Sequence, residues 1–473
     1  MSHRDYIAAS LAEFAVSIKY DDIPLNVIER AKFLILDGIG CALAARNDHF
    51  VRPFWDSSSD FASGSQGTSG VIGFSKRMTL RDAIFLNGVL MHGLDYDDTH
   101  TVGIIHLTVS SLPASLNLAS QLKLSGKEFL TSYIVGLEAG ARLAMMAKGG
   151  FHSQGFHPTG LVGTFASALA CGRLLGLNQK QMIYAQGAAL SLTGGSLQFI
   201  EDGAWTKRAH AGWSSHSGLM AAFMAKNGVI TPEAPYLGRY GLFNSYLPEA
   251  NKQSIDLEEA RETFDFSRPE KVVWELPEIA VKPFAMCHFT HAAIDAAISL
   301  NKLGLDVVSI DSIEVLVPDA AVPLVCEPLA LKQKPQNEYE AKFSLPYAVA
   351  SGLLRGRLGL KELLPEAYLS IDAQELMSKV QYRVDPGTTF PRHYSAEVCV
   401  IMKNGDQHSR RESINRGHSD RPLNNNDVRD KYDENAGVNY KNEYSDQLAK
   451  VITNIEKLES IDSLEVLLAQ DPV

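Results

Sequence analysis

The residues of this chain whose types and spacing could do chemistry are histidine, aspartate and lysine. Most of its 14 histidines fall in short stretches that also carry Gly, Thr, Asp or Lys. The stretches hold His92, His100 and His106; His152 and His157; His210 and His216; His288 and His291. An imidazole titrates near neutrality, so several brought together can take up and hand on protons. Residues 91–100 read Met-His-Gly-Leu-Asp-Tyr-Asp-Asp-Thr-His, and His106 follows a turn containing Gly103. Residues 203–212 place Lys207, Arg208 and His210 in a loop before a helix, and Phe156-His157-Pro158-Thr159-Gly160 is a second loop-to-helix junction. Such junctions are where substrate contacts concentrate. In residues 280–295 a short strand delivers Lys282, and Thr290 is placed to cap the next helix. A helix start offers free N–H groups and a positive dipole end, so Lys282 beside it suits a carboxylate. His288 and His291 could ligate a metal, but no third ligand can be assigned to them, and no metal is expected.

The elements that must position these groups are mainly helical over the first 265 residues. Residues 27–45 carry Ile28, Ala31, Ile35, Ile39 and Ala42 at helical spacing. Thr79-Leu80-Arg81-Asp82 opens another helix as a capping box, with an apolar stripe of Ala83, Leu86, Leu90 and Leu94. If that helix runs on, Gly88, His92, Asp95 and Thr99 share one face. The segments 161–177 and 185–194 are rich in Gly and Ala and read as closely packed core helices. The texture changes near 266. Residues 271–274 and 279–281 are short, β-branched and punctuated by Pro, and 310–317 and 396–402 alternate as half-buried strands do. Asn404-Gly405 signals a hairpin turn. Helices are expected over 292–302 and 343–354. The reading is thus a helical domain over 1–265, an α+β domain over 266–408, and a return over 409–473. In that return 409–435 is a polar surface loop and 447–468 is helical.

At 473 residues, two domains are the natural division. A composition of 45% hydrophobic and 21% charged residues is that of a folded chain. The formal net charge of −11 argues against nucleic acid as the main partner, yet a local cluster of Lys, Arg and His can still hold an anionic small molecule. The five cysteines are scattered, with no CxxC pair, which fits free thiols in a reducing compartment and offers no set for an Fe–S cluster. No apolar run is long enough for a membrane span, and the first residues lack a signal sequence, so a cytoplasmic protein is expected.

Taken in order, HGLDYDDTH with His106, FHPTGLVGT, TKRAHAG and KPFAMCHFTHAAID resemble the MmgE/PrpD family over nearly the whole chain. That family includes 2-methylcitrate dehydratase, cis-aconitate decarboxylase and iminodisuccinate epimerase. The resemblance implies a large all-helical domain, a smaller α+β lid domain inserted before the C-terminal helices, and a homodimer. It places the active site between helical domain and lid, at Asp95, Thr99, His106, His157, Lys207, Lys282 and Tyr347. It also implies a route without cofactor.

The shared chemistry makes or breaks a C–H bond next to a carboxylate. Cations must stabilise the developing charge, and a base must take the proton. On this reading Lys207 and Lys282, with Arg208 and His92, bind the carboxylates of a small di- or tricarboxylate. His106 and His157 carry the proton, Asp95 orients a histidine, Thr99 donates a hydrogen bond, and Tyr347 closes the site. Decarboxylation, dehydration and epimerisation all remain open to such a set, with a lyase favoured over an epimerase. A catalytically silent carboxylate-binding protein is the reading from another class.

Overall fold

The computed structural model describes residues 5–252, 255–268 and 272–472. It divides into two compact units, one made of Met1–Ile279 with Asn424–Val473 and the other of Ala280–Leu423.

The larger unit is built from α1 (Tyr6–Ser17), α2 (Leu25–Ala45), α3 (Leu80–His92), α4 (Thr108–Gln121), α5 (Gly126–Met146), α6 (Gly163–Leu174), α7 (Gln179–Leu192) and α8 (Thr206–Lys226). Thr79 caps α3 by accepting the N–H of Asp82, as the sequence anticipates. The centre of the unit is α8, which packs against α3, α4, α6 and α7. Its buried face is made of small residues, among them Ala211, Gly212, Ser214, Ser215, Gly218 and Ala221. A Cβ on Gly88 of α3 would lie 2.4 Å from the Gly212 backbone, and one on Gly212 would lie 2.1 Å from the Phe85 carbonyl oxygen. These helices therefore cross backbone against backbone. The crossing fixes where His92, at the end of α3, stands relative to Lys207 and His210 in the first turns of α8.

In the smaller unit, α9 (His291–Asn301) and α10 (Leu345–Arg355) pack together beside a four-stranded sheet. Label its strands β1 (Ile310–Val317), β2 (Val380–Val384), β3 (Ala396–Met402) and β4 (Gln407–Glu412); the order is β2-β1-β3-β4. The β1/β2 pair is parallel, and β1/β3 and β3/β4 are antiparallel. The strands 310–317 and 396–402 and the Asn404-Gly405 turn are as anticipated, with Gly405 at φ 89°. The chain then returns to the larger unit through α11 (Asn425–Ala436) and α12 (Asn442–Ile452). Among the described residues no helix is long and apolar enough to cross a membrane.

Several expectations need correction. Residues 409–435 are not a loop: 409–412 complete β4, and 425–436 form α11, opened by a capping box between Asn424 and Asp427. Polarity misled there because α11 buries only a narrow face, Val428, Lys431, Tyr432, Asn435 and Ala436. Residues 272–274 form no strand, and Lys271 lies outside the described residues. This segment belongs with the helices, because Glu138 of α5 accepts the N–H groups of Glu275 and Leu276 at 3.0 Å each. The division accordingly falls at 279/280 and 423/424 rather than at 266 and 408. The helical unit also carries a small antiparallel hairpin, Ser69–Val71 with Phe74–Met78, so it is not purely helical. The α3 helix stops at His92 and does not run on to Thr99.

The close crossing predicts that Gly212→Ala destabilises the protein by about 1–3 kcal/mol, the usual range for overpacking a filled core. Urea denaturation measures it. Gly194→Ala, where a Cβ would meet nothing within 4 Å, serves as the neutral control.

Candidate active site

Beyond His92 the backbone turns sharply instead of continuing the helix. Asp95 sits at φ 53°, in the left-handed region that Asp tolerates better than most residues. The turn brings Asp97 back under the end of α3. Its carboxylate oxygens lie 2.9 and 3.0 Å from His92 Nδ1, and one of them is 3.2 Å from His106 Nδ1. The side chains of His92 and Asp97 are both at 0% exposure. His106 Nδ1 also lies 2.7 Å from the Asp98 carbonyl oxygen and 3.3 Å from Thr99 Oγ1. A carbonyl oxygen only accepts, so His106 Nδ1 carries the hydrogen and donates it. The same reasoning puts a hydrogen on His92 Nδ1, which faces a carboxylate. In both neutral rings the lone pair therefore belongs to Nε2. His92 Nε2 is buried and has no hydrogen-bond partner among the described residues.

Burial alone would push the Asp97 carboxyl up, but His92 and His106 beside it outweigh that and hold it well below the usual carboxylate range. Asp98 next to it has no such partners. Burial raises it to about 7, opposed by Thr108 and reinforced by Asp97 and Asp37. His157, from the start of the short helix Pro158–Leu161, completes a group of three imidazoles. Ring centroids are 4.8 Å apart for His92 and His106, 5.7 Å for His92 and His157, and 5.9 Å for His106 and His157. His157 Nδ1 meets His210 Nδ1 at 3.0 Å, so one ring donates to the other. Burial, with His210 and Lys207 nearby, lowers His157 well below the usual imidazole range, and the ring is neutral at pH 7.

Cations frame the group. Lys207 Nζ pairs with Asp95 at 2.8 Å, both buried. Behind the loop, Lys431 of α11 pairs with buried Asp37 of α2 at 2.6 Å, donates to the Tyr96 carbonyl at 2.7 Å, and lies 3.9 Å over the Tyr96 ring. Arg208 takes a different position from the one expected. Its Nε donates to the Gly93 carbonyl at 2.8 Å and its guanidinium lies 4.1 Å over Phe50, so it clamps the start of the loop. His100 accepts the Gly103 N–H at 3.1 Å inside its own turn, and His216 stacks near Trp213.

The remaining expected residues lie in the smaller unit. Lys282 is buried, two residues past the strand Ile279–Ala280. The backbone ahead of it is gripped by Gly417 at φ 94°, where a Cβ would lie 2.0 Å from the Val281 carbonyl oxygen. Tyr347 is buried, and its hydroxyl donates to the Glu362 carbonyl, a commitment that ties it to its own unit. His288 Nε2 meets Asn415 at 2.8 Å and His291 Nε2 donates to the Met286 carbonyl at 3.1 Å, so both serve local structure. Thr290 precedes α9, but its hydroxyl bonds the Cys287 carbonyl and caps nothing.

The structure thus brings His92, His106, His157, Asp95, Thr99 and Lys207 together and adds Asp97, Asp98, His210, Asp37 and Lys431. The signal for Asp97 was present in Asp95-Tyr96-Asp97-Asp98. It was obscured by projecting the run onto a helix, which turns Asp97 away from His92. Lys431, more than 330 positions along the chain, left no local signal.

Two outcomes follow from this charge arrangement. His152 and His210 are both lowered from 6.5 to about 4, chiefly by burial. Above pH 6.5 they are neutral whether folded or unfolded. Between pH 6.5 and about 4 the unfolded chain binds protons that the folded rings refuse, so stability falls as the pH drops. Thermal melts from pH 8 to pH 4 should show this fall, with a shallower slope in His210→Gln. Lys431→Met leaves Asp37 as a buried unpaired charge and should cost about 3–5 kcal/mol in urea denaturation, much of it recovered in Lys431→Met/Asp37→Leu.

Comparison with known proteins matches the chain to two family models in succession. Residues 9–254 fit the MmgE/PrpD N-terminal domain and residues 284–457 the MmgE/PrpD C-terminal domain. The chain is 28% identical to the cis-aconitate decarboxylase of Homo sapiens, across 98% of this chain and 94% of that protein. It is 24% identical to a cis-aconitate decarboxylase-like protein of Aspergillus oryzae, across 98% and 97%. The cis-aconitate decarboxylase of Aspergillus terreus is 29% identical over 63% of this chain and 60% of its own length. With both domain models satisfied in order, the chain belongs to the MmgE/PrpD family.

Proposed function

We propose that this protein is a lyase that acts on a small di- or tricarboxylate by proton transfer at a carbon next to a carboxylate, with decarboxylation of a cis-aconitate-like acid as the favoured reaction. The relatives named cis-aconitate decarboxylase support the reaction class. The observation that carries the chemistry is His106, whose Nδ1–H is committed to the Asp98 carbonyl and whose imidazolium form has Asp97 at 3.2 Å. Nε2 is then the nitrogen that takes up or delivers a proton, and the carboxylate stabilises the charged ring.

In decarboxylation the C–C bond to one carboxylate breaks and CO2 leaves. The released electron pair shifts the neighbouring double bond, and the far carbon of that bond receives the proton from His106 Nε2. Lys207 lies where an ammonium can face a substrate carboxylate, with Asp95 holding it until then. Exchange of a protein carboxylate for a substrate carboxylate keeps the buried ammonium paired throughout. His157, neutral at pH 7, is the second proton carrier. Thr99 is the hydrogen-bond donor in this reading, and Lys282 stays in it as the anion anchor that the family resemblance implies. Dehydration would use the same groups, with one ring taking the proton and a second protonating the departing hydroxyl. The presence of several rings also accommodates an epimerase, in which the proton returns to the opposite face.

The test is ¹H NMR in D2O with cis-aconitate, 2-methylcitrate and iminodisuccinate. New vinyl signals with loss of CO2 are expected from the first. Deuterium uptake without net conversion would select the epimerase, and stoichiometric binding without turnover the binding protein. His106→Ala should lower kcat by about 10²–10⁴-fold, the usual contribution of a positioned acid or base. Lys207→Ala and Lys282→Ala should raise KM. Full activity in His106→Ala and Lys282→Ala would overturn the assignment of the site.

A further inference from the structure

We propose that His92, His106 and His157 form a binding site for a late first-row divalent metal ion, with Zn2+ as the type ion. One ring nitrogen from each lies within 4.8 Å of the others, and all three residues are buried. Zinc takes imidazole nitrogens at about 2.0–2.1 Å, and tetrahedral geometry then sets the nitrogens about 3.3 Å apart, a closure that small ring rotations can supply.

Spacing is not the only ground. A metal-binding histidine almost always gives its other ring N–H to a carboxylate or carbonyl, which fixes the tautomer and aims the lone pair at the ion. His92 presents Nδ1 to Asp97 at 2.9 Å, His106 presents Nδ1 to the Asp98 carbonyl at 2.7 Å, and His157 places Nδ1 at 3.0 Å from His210. His92 and His106 therefore have their outer acceptors in place, and His157 matches them in the tautomer whose Nδ1–H donates to His210. The separate pointer to a ligand is His92 Nε2. This atom is buried on a side chain with 0% exposure and has no hydrogen-bond partner among the described residues. A buried polar atom left unmatched is costly, and a cation is one group that would match a lone pair there. The local charge is compatible. Asp97 supplies a full negative charge against two of the rings, and the nearby Lys207 ammonium is already balanced by Asp95. The donors are nitrogens rather than oxygens, which selects Zn2+, Co2+, Ni2+ or Cu2+ over Mg2+ and Ca2+. A bound ion would occupy the nitrogens that the proposed lyase reaction uses, so it acts as an inhibitor of that reaction. This consequence alone rests on the functional reading above.

The experiment uses untagged full-length protein stripped with chelator. Titration with Zn2+ by calorimetry should show one equivalent bound, with at least a 10-fold loss of affinity in His157→Gln and in His92→Gln. Cu2+ EPR on the unmodified protein should show hyperfine splitting from several nitrogens, a readout that needs no variant to fold. Mg2+ should not compete. Absence of binding below millimolar Zn2+ would overturn the proposal. So would equal affinity in the variants, or loss of binding only in His418→Gln, which would place the ion at the group of His393, His418 and Asp420 in the smaller unit. Failure of every acid to turn over would bear on the lyase reading and leave these binding results standing.

Discussion

A carboxylate with 0% exposure, Asp97, stands between two imidazoles, and much of the surrounding structure follows from keeping it charged. An ionised carboxylate in a dry interior needs partners that donate to both of its oxygens. His92 and His106 are those partners, and reaching both of them requires the chain to leave the helix at residue 92. That turn places Asp95 in the left-handed region. It exposes the Gly93 and Tyr96 carbonyls at the end of α3, where Arg208 and Lys431 take them. Lys431 in turn is a buried cation that needs Asp37. One ionic requirement thus recruits α2, α3, α8 and α11.

Charges within this cluster are paired with some economy. Asp97 is held by histidines, Asp95 by Lys207, and Asp37 by Lys431. Asp98, with buried Arg30 as a charged neighbour, is pushed up to about 7 by burial. It therefore carries less negative charge beside Asp97 at neutral pH than an ordinary carboxylate would. Its backbone carbonyl still serves, fixing the His106 tautomer. The tight crossing of α3 and α8 gives the arrangement its rigidity, since at Gly88 and Gly212 backbone meets backbone between the helix that ends in His92 and the one that carries Lys207 in its first turn.

Much of this was legible in the sequence, and the limits were physical. The grouping of histidines with Gly, Thr and Asp pointed to side chains that the fold brings together. Alternation identified the strands 310–317 and 396–402, because a period of two survives without any tertiary information. The path of residues 93–98 was not legible. Helical periodicity assumes that side chains share a face, whereas these acids each seek a different partner. Polar composition likewise hid α11, whose role is to carry one buried lysine to a loop more than 330 positions earlier. Arg208, expected from its charge, and Tyr347, expected from the family resemblance, each donate to a backbone carbonyl, contacts that only the folded chain reveals.

On the two proposals made above, the same outer contacts would serve two chemistries. A histidine whose Nδ1–H is fixed on an acceptor presents a defined lone pair at Nε2. That lone pair can take a proton from carbon or hold a metal ion, and the geometry that favours one also favours the other. What separates them is charge. A proton relay needs a cation close by to receive a carboxylate, and Lys207 lies close enough to depress His157. A dication in the same space would meet that ammonium, so Asp95 decides between the two uses. While Asp95 holds Lys207, the cluster is electrostatically open to an ion. In the proposed reaction a substrate carboxylate replaces Asp95 as the partner of Lys207 and fills the space an ion would need, so substrate and metal would be mutually exclusive occupants.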